Sequence, residues 1–166
     1  DVNAVEVTKL SLLLKCMEGE TEASIAHQTK IFHERVLPTL DSNIKDGNSL
    51  IDLDYYDSQL DFDNERLIKP FNWKSKFPNI EMNGGFDILI GNPPYVRSQH
   101  LGENIKDYLS RKYSCSSYQQ DLFSFFLEKV IDLLGDKGML GYIIPNGILT
   151  NIFYSKLRLL ILNRTR

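Results

Sequence analysis

Positive charge is what this sequence most clearly lacks. Its 19 lysines and arginines face 22 aspartates and glutamates, and the net charge is −3. An overall basic footprint for nucleic acid is therefore absent, and any such contact must come from a local patch or from another domain. Cysteine is also scarce. The only two, Cys16 and Cys115, lie far apart and match no ligand or redox spacing. That excludes a disulfide framework and fits reduced thiols in a cytoplasmic protein. The three histidines, His27, His33 and His100, form no metal-ligand spacing, so no metal is expected. No apolar run approaches a membrane span and no secretory leader is visible, so no membrane partner is expected. Internal repeats and low-complexity segments are missing as well. What remains is the composition of a soluble globular protein, 42% hydrophobic and 25% charged over 166 residues. That length suits one domain of ordinary size. The chain opens on Asp1 rather than methionine, and its first residues look like a strand end entering a helix. A fragment of a longer protein is the expectation.

Val2 to Met17 is expected to be a helix, capped by Asn3 with Glu6 three residues on and broken by Gly19. A second, largely polar helix is expected from Thr21 to Leu37, stopped by Pro38. Asn43 to Leu50 has the pattern of a short strand and turn around Gly47-Asn48. Residues 52–85 form an irregular acidic loop. Its Asp52, Asp54, Asp57, Asp61 and Asp63 lack the glycine and terminal glutamate of a calcium loop, so a solvated loop is expected. Phe86 to Ile90 is an apolar run suited to a parallel strand buried on both faces. Ser117 is placed to cap a helix from Tyr118 to about Leu134, with Leu122, Phe123, Phe126, Leu127, Val130 and Ile131 along one face. Gly135 and Gly138 end it. Met139 to Ile144 is a further strand, halted by Pro145, and a last helix covers Ile152 to Leu162. Helices alternating with apolar strands predict an α/β fold, a parallel sheet with flanking helices. In such sheets ligands sit beyond the carboxyl ends of the strands. Asn92 and Asn146 lie at two such ends.

The stretch FDILIGNPPYVR, Phe86 to Arg97, drives an apolar strand into two consecutive prolines. Proline fixes its own φ and pushes its predecessor toward extended backbone. Asn92 and Pro93 are thereby stiffened, and the Asn92 side-chain oxygen and Pro93 carbonyl become fixed acceptors. Two fixed acceptors can hold both N–H groups of a planar amine and draw its lone pair out of conjugation. Rigid acceptors placed where charge develops are electrostatic preorganisation. Tyr95 adds an aromatic face, and stacking an extruded base on such a ring is worth about 1–3 kcal/mol. The nucleophile implied is an amide or aminopurine nitrogen.

With these residues the chain resembles the amino-group DNA methyltransferases that carry Asn-Pro-Pro-Tyr. More narrowly, it is similar to the adenine-specific methylases of type II restriction-modification systems. The similarity runs through Asp1–Lys15, NIKDGNSLI at Asn43–Ile51, GGFDILIGNPPYVR at Gly84–Arg97, and Asp121–Asn151. It implies a partial Rossmann-like fold that uses S-adenosylmethionine, with residues 1–166 forming the central and C-terminal part of a catalytic domain. The glycine-rich cofactor loop upstream and a DNA-recognition domain downstream are not in the sequence, so the fragment alone is expected to be inactive. By resemblance, Asn92, Pro93, Pro94 and Tyr95 are catalytic. Asp1 holds the cofactor ribose, Asn48 contacts its adenine and Phe126 lines the adenine pocket. Arg97 and Gln99 contact the DNA backbone. The implied partner is double-stranded DNA, from which an adenine is flipped out, and nuclease and target-recognition parts often share the polypeptide. The same tetrad also serves methylation of a protein glutamine amide or of RNA amino groups. A truncated, non-catalytic remnant is a further alternative.

Overall fold

The computed structural model describes residues 2–19, 21, 39–58, 68–116 and 121–165. The chain divides into two compact units, Asp1–Gly47 and Asn48–Arg166.

In the first unit, α1 spans Val2–Met17 and buries none of its residues. Lys9 binds Glu6 at 3.0 Å and Asp41 at 2.7 Å, which ties the helix to the turn at residues 41–43. Because α1 already begins at Val2, Asn3 lies inside its first turn and is not the cap that the sequence suggested. Gly19, just past the helix end, has φ +89, a conformation that a residue with a Cβ rarely adopts. From residue 22 onward, the second helix expected over Thr21–Leu37 lies outside the described residues.

The second unit opens without the strand expected at Asn43–Leu50. Asn48 forms only an isolated parallel bridge to Pro70. Proline has no N–H to extend a ladder, so the pairing stops there. The acidic segment is also more ordered than a solvated loop. A 3-10 helix covers Leu53–Ser58, α2 covers Trp73–Lys76 and α3 covers Pro78–Met82. Asn72 caps α2 by accepting from the Ser75 N–H at 2.7 Å. Asp52 accepts from Asn72 Nδ2 at 2.9 Å, and Asp54 from the Tyr108 hydroxyl at 2.5 Å. Tyr55 and Phe71 are buried. Asp61 and Asp63 lie outside the described residues.

β1, Phe86–Gly91, follows, and then α4, Glu103–Lys112. The second of these is a helix that the sequence reading had not assigned. α5 covers Leu122–Leu133 and leads straight into β2, Leu134–Tyr142, with Leu134 both capping the helix and starting the strand. The helix start expected at Ser117 and Tyr118 lies outside the described residues. α6, Ser155–Arg164, ends the fold, after 3-10 turns at Asn146–Leu149 and Ile152–Tyr154. β1 and β2 pair in parallel, as expected. Phe86 faces Leu134, and regular register resumes at Ile88–Met139 and runs to Gly91–Tyr142. The intervening Gly135–Gly138 stretch bulges out. A Cβ on Gly138 would lie 2.6 Å from the Phe86 carbonyl oxygen, which explains the glycine.

α5 is the centre of the core. Phe123, Phe125, Leu127, Val130 and Ile131 are buried with Leu50, Ile51, Tyr113 and Leu157, and Leu89, Leu140, Tyr142 and Ile144 pack onto them from the sheet. Burial of β1 on both faces is not found. Ile88 and Ile90 are 55% and 82% exposed, and Met139 and Ile143 are open too. A parallel strand is buried twice only where both faces are covered, and among the described residues of this unit only one face has its covering helices.

Candidate active site

β1 ends at Gly91 and Asn92 follows at once. Gly91 pairs with Tyr142, and a Cβ there would lie 2.6 Å from Cε1 of the Tyr142 ring. Glycine at this position lets the two strand ends close up. Beyond the strands, the Ile143 N–H donates to the Gly91 carbonyl at 3.2 Å. The exit of β1 is thus fastened to the exit of β2, where sheets of this type hold their ligands.

Pro93 is buried, while Asn92, Pro94 and Tyr95 are exposed. Among the described residues, no N–H or O–H donates to the Pro93 carbonyl. The Tyr95 hydroxyl lies 2.8 Å from Asn92 Oδ1 and 2.7 Å from the Ile143 carbonyl oxygen. Tyr95 is 50% exposed, and its ring meets Phe123 edge-on, with centroids 6.4 Å apart. Phe123 in turn packs on Tyr154 at 5.3 Å. The tetrad therefore offers one free carbonyl, one side-chain oxygen engaged by a single hydroxyl, and one open aromatic face.

The loop after the tetrad is fixed from behind. The Leu122 N–H donates to the Val96 carbonyl at 2.8 Å, and Arg97 and Asp121 form an isolated antiparallel backbone bridge. The Tyr154 hydroxyl donates to Asp121 Oδ2 at 2.6 Å. Burial, helped by Asp121, pushes the Tyr154 phenol up to about 12. Arg97 and Gln99 stand exposed at the start of a 3-10 turn, Ser98–His100. Asn146, exposed at the other strand end, opens its own 3-10 turn. Tyr142, Ile143, Asp121, Phe123 and Tyr154 support the site but were not singled out for it. Asp121 carried a usable signal, an acidic residue just before an apolar helix. Ile143 carried none, since it acts through its backbone.

The residues expected to hold S-adenosylmethionine lie on other elements. Asp1 is outside the described residues. Asn48 is half-buried; its N–H donates to the Lys69 carbonyl at 2.7 Å and its Oδ1 accepts from the Leu50 N–H at 3.3 Å. A carboxamide oxygen has two lone pairs, and its NH2 keeps both donors, so Asn48 can still bind an adenine edge. Phe126 is half-buried and packs against the core with part of its ring open. The chemistry of these two side chains fits an adenosine group. Away from the site, buried Glu128 accepts from the Ser114 N–H and hydroxyl at 2.9 and 2.7 Å and from the Cys115 N–H at 2.8 Å. It ties the end of α4 to α5.

The model of the family described as Eco57I restriction-modification methylase matches residues 1–166. The chain is 38% identical over 149 residues to the type II restriction enzyme and methyltransferase RM.Eco57I of Escherichia coli, covering 88% of this chain and 13% of that protein. It is 38% identical over 91 residues to a putative type II restriction enzyme and methyltransferase, RM.MjaORFECS2P, of Methanocaldococcus jannaschii, covering 55% and 7%. To the type II methyltransferase M.BstVI of Geobacillus stearothermophilus it is 32% identical over 73 residues, covering 44% and 13%. The chain thus spans a small fraction of the length of the curated relatives it matches.

Proposed function

The chain belongs to the Eco57I restriction-modification methylase family, and on that premise we propose that the full-length protein methylates DNA within a type II restriction-modification system. Its parallel strand pair and covering helices are part of a Rossmann-like methyltransferase fold. The reaction proposed is transfer of a methyl group from S-adenosylmethionine to the exocyclic amine of an adenine flipped out of double-stranded DNA. One observation carries this: a tetrad of stiff acceptors and an open ring at the joined strand exits, with the Pro93 carbonyl unengaged among the described residues.

Asn92 Oδ1 and the Pro93 carbonyl each accept one N–H of the target amine. This turns the nitrogen lone pair away from the ring and makes it nucleophilic. Tyr95 stacks on the base with its exposed face, and Pro94 keeps the backbone between them rigid. Asn48 and Phe126 hold the cofactor, which when bound supplies an electrophilic methyl group on a sulfonium centre. Arg97 and Gln99 face the DNA backbone. RM.Eco57I is named as both restriction enzyme and methyltransferase, which supports a nuclease part in the same polypeptide here.

The test is transfer of radiolabel from S-adenosylmethionine into unmethylated genomic DNA by the full-length protein, followed by digestion to nucleosides. Label in methyladenine is expected. Label confined to cytosine would change the base, and label in protein or RNA with none in DNA would overturn the proposal.

A further inference from the structure

We infer that the Tyr95 hydroxyl is a one-proton latch that holds the Asn92 carboxamide ready for the amine and falls back on the Ile143 carbonyl when the amine arrives. The latch rests on the methyl-transfer function proposed above and assigns the hydroxyl a task separate from stacking. A phenol carries a single proton. Two acceptors nevertheless lie within bonding distance, Asn92 Oδ1 at 2.8 Å and the Ile143 oxygen at 2.7 Å. The two compete for that proton. An arriving amine N–H can take over Oδ1 without stranding the hydroxyl, because its proton passes wholly to Ile143. Exchange of one hydrogen bond for another is close to neutral, whereas leaving a group unpaired is expensive.

The anchor is well fixed. The Ile143 peptide donates its own N–H to the Gly91 carbonyl, so its oxygen is held relative to the residue that precedes Asn92. The hydroxyl therefore reports the position of the β2 exit to the carboxamide at the β1 exit. With the latch in place, Asn92 holds one side-chain orientation before the base enters. Phenylalanine at position 95 would keep the stacking face and the edge contact with Phe123 but would leave Asn92 untethered. The hydroxyl is thus a positioning group that acts through Asn92.

The experiment compares wild-type, Tyr95→Phe and Asn92→Ala full-length proteins, using radiolabelled S-adenosylmethionine and unmethylated DNA. For Tyr95→Phe, kcat is expected to fall about tenfold, while KM for DNA and the dissociation constant for the cofactor stay within about twofold. An unchanged kcat in Tyr95→Phe, with Asn92→Ala inactive, overturns the latch alone. A fall in kcat matched by weakened cofactor and DNA binding also overturns it, since that is the pattern of general structural damage. Methyl transfer that survives in Asn92→Ala overturns the latch together with the role of Asn92 beneath it, whereas a wild type that labels no DNA overturns the proposed function itself.

Discussion

Glu128 shows how much a single side chain carries in this fold. It is 6% exposed and accepts three hydrogen bonds from Ser114 and Cys115. Burial by itself would raise its carboxyl, but the bonds from Cys115 and Ser114 outweigh burial and hold it below the ordinary glutamate value. A depressed carboxyl contributes stability that is present above the unfolded value, about 4.3, and is lost as pH falls through the folded one. Glu128→Gln removes the charge and sets an NH2 against donors. A loss of about 2–3 kcal/mol at pH 7 is expected, shrinking as the pH drops below 4. Urea unfolding of both proteins across that range checks it, and a pH-independent difference would contradict it. At this scale the tetrad was legible, because Asn-Pro-Pro-Tyr has no sensible part in secondary structure. The tether on Tyr95 was not, since its partner is a main-chain oxygen 48 residues away. Nor was the role of Glu128, a charged residue in the middle of an apolar helix, which ordinarily faces water.

Among the elements, the close join of β1 and β2 depends on Gly91. Gly91→Ala drives a methyl into the Tyr142 ring, 2.6 Å away. A cost of about 1–3 kcal/mol is expected. Gly147→Ala meets nothing within 4 Å and serves as the control, expected within about 0.5 kcal/mol of wild type. Equal denaturation midpoints for the two variants would show that the strands part readily. The strands and α5 were readable from continuous apolar runs and helical period. The ladder from Met139 onward agrees with the strand expected there, and of the glycines around it Gly138 and Gly91 are explained by close strand approach. α4 was missed although Ile105, Tyr108 and Leu109 have helical spacing, because its other positions are mostly charged or polar. The strand expected near Asn48 failed because its partner segment contributes Pro70, which cannot continue a ladder.

On the scale of the whole molecule, the chain matches only a stretch of its curated relatives. It spans 13% of RM.Eco57I, and among the described residues nothing covers the apolar side chains Ile88, Ile90, Met139 and Ile143 at its sheet. Composition supplies no basic footprint, with a net charge of −3. If the full-length protein acts on DNA as proposed, recognition has to come from local contacts, for which Arg97 is the proposed candidate, or from other parts of the polypeptide. Among the described residues no helix is long and apolar enough to cross a membrane. The central claim is that Asn92 holds the target amine while other residues hold the cofactor. The most direct measurement compares full-length wild type and Asn92→Ala for methyl transfer to DNA and for S-adenosylmethionine affinity. We predict loss of transfer by at least about a hundredfold, with cofactor affinity retained. Transfer at the wild-type rate in Asn92→Ala would contradict the account.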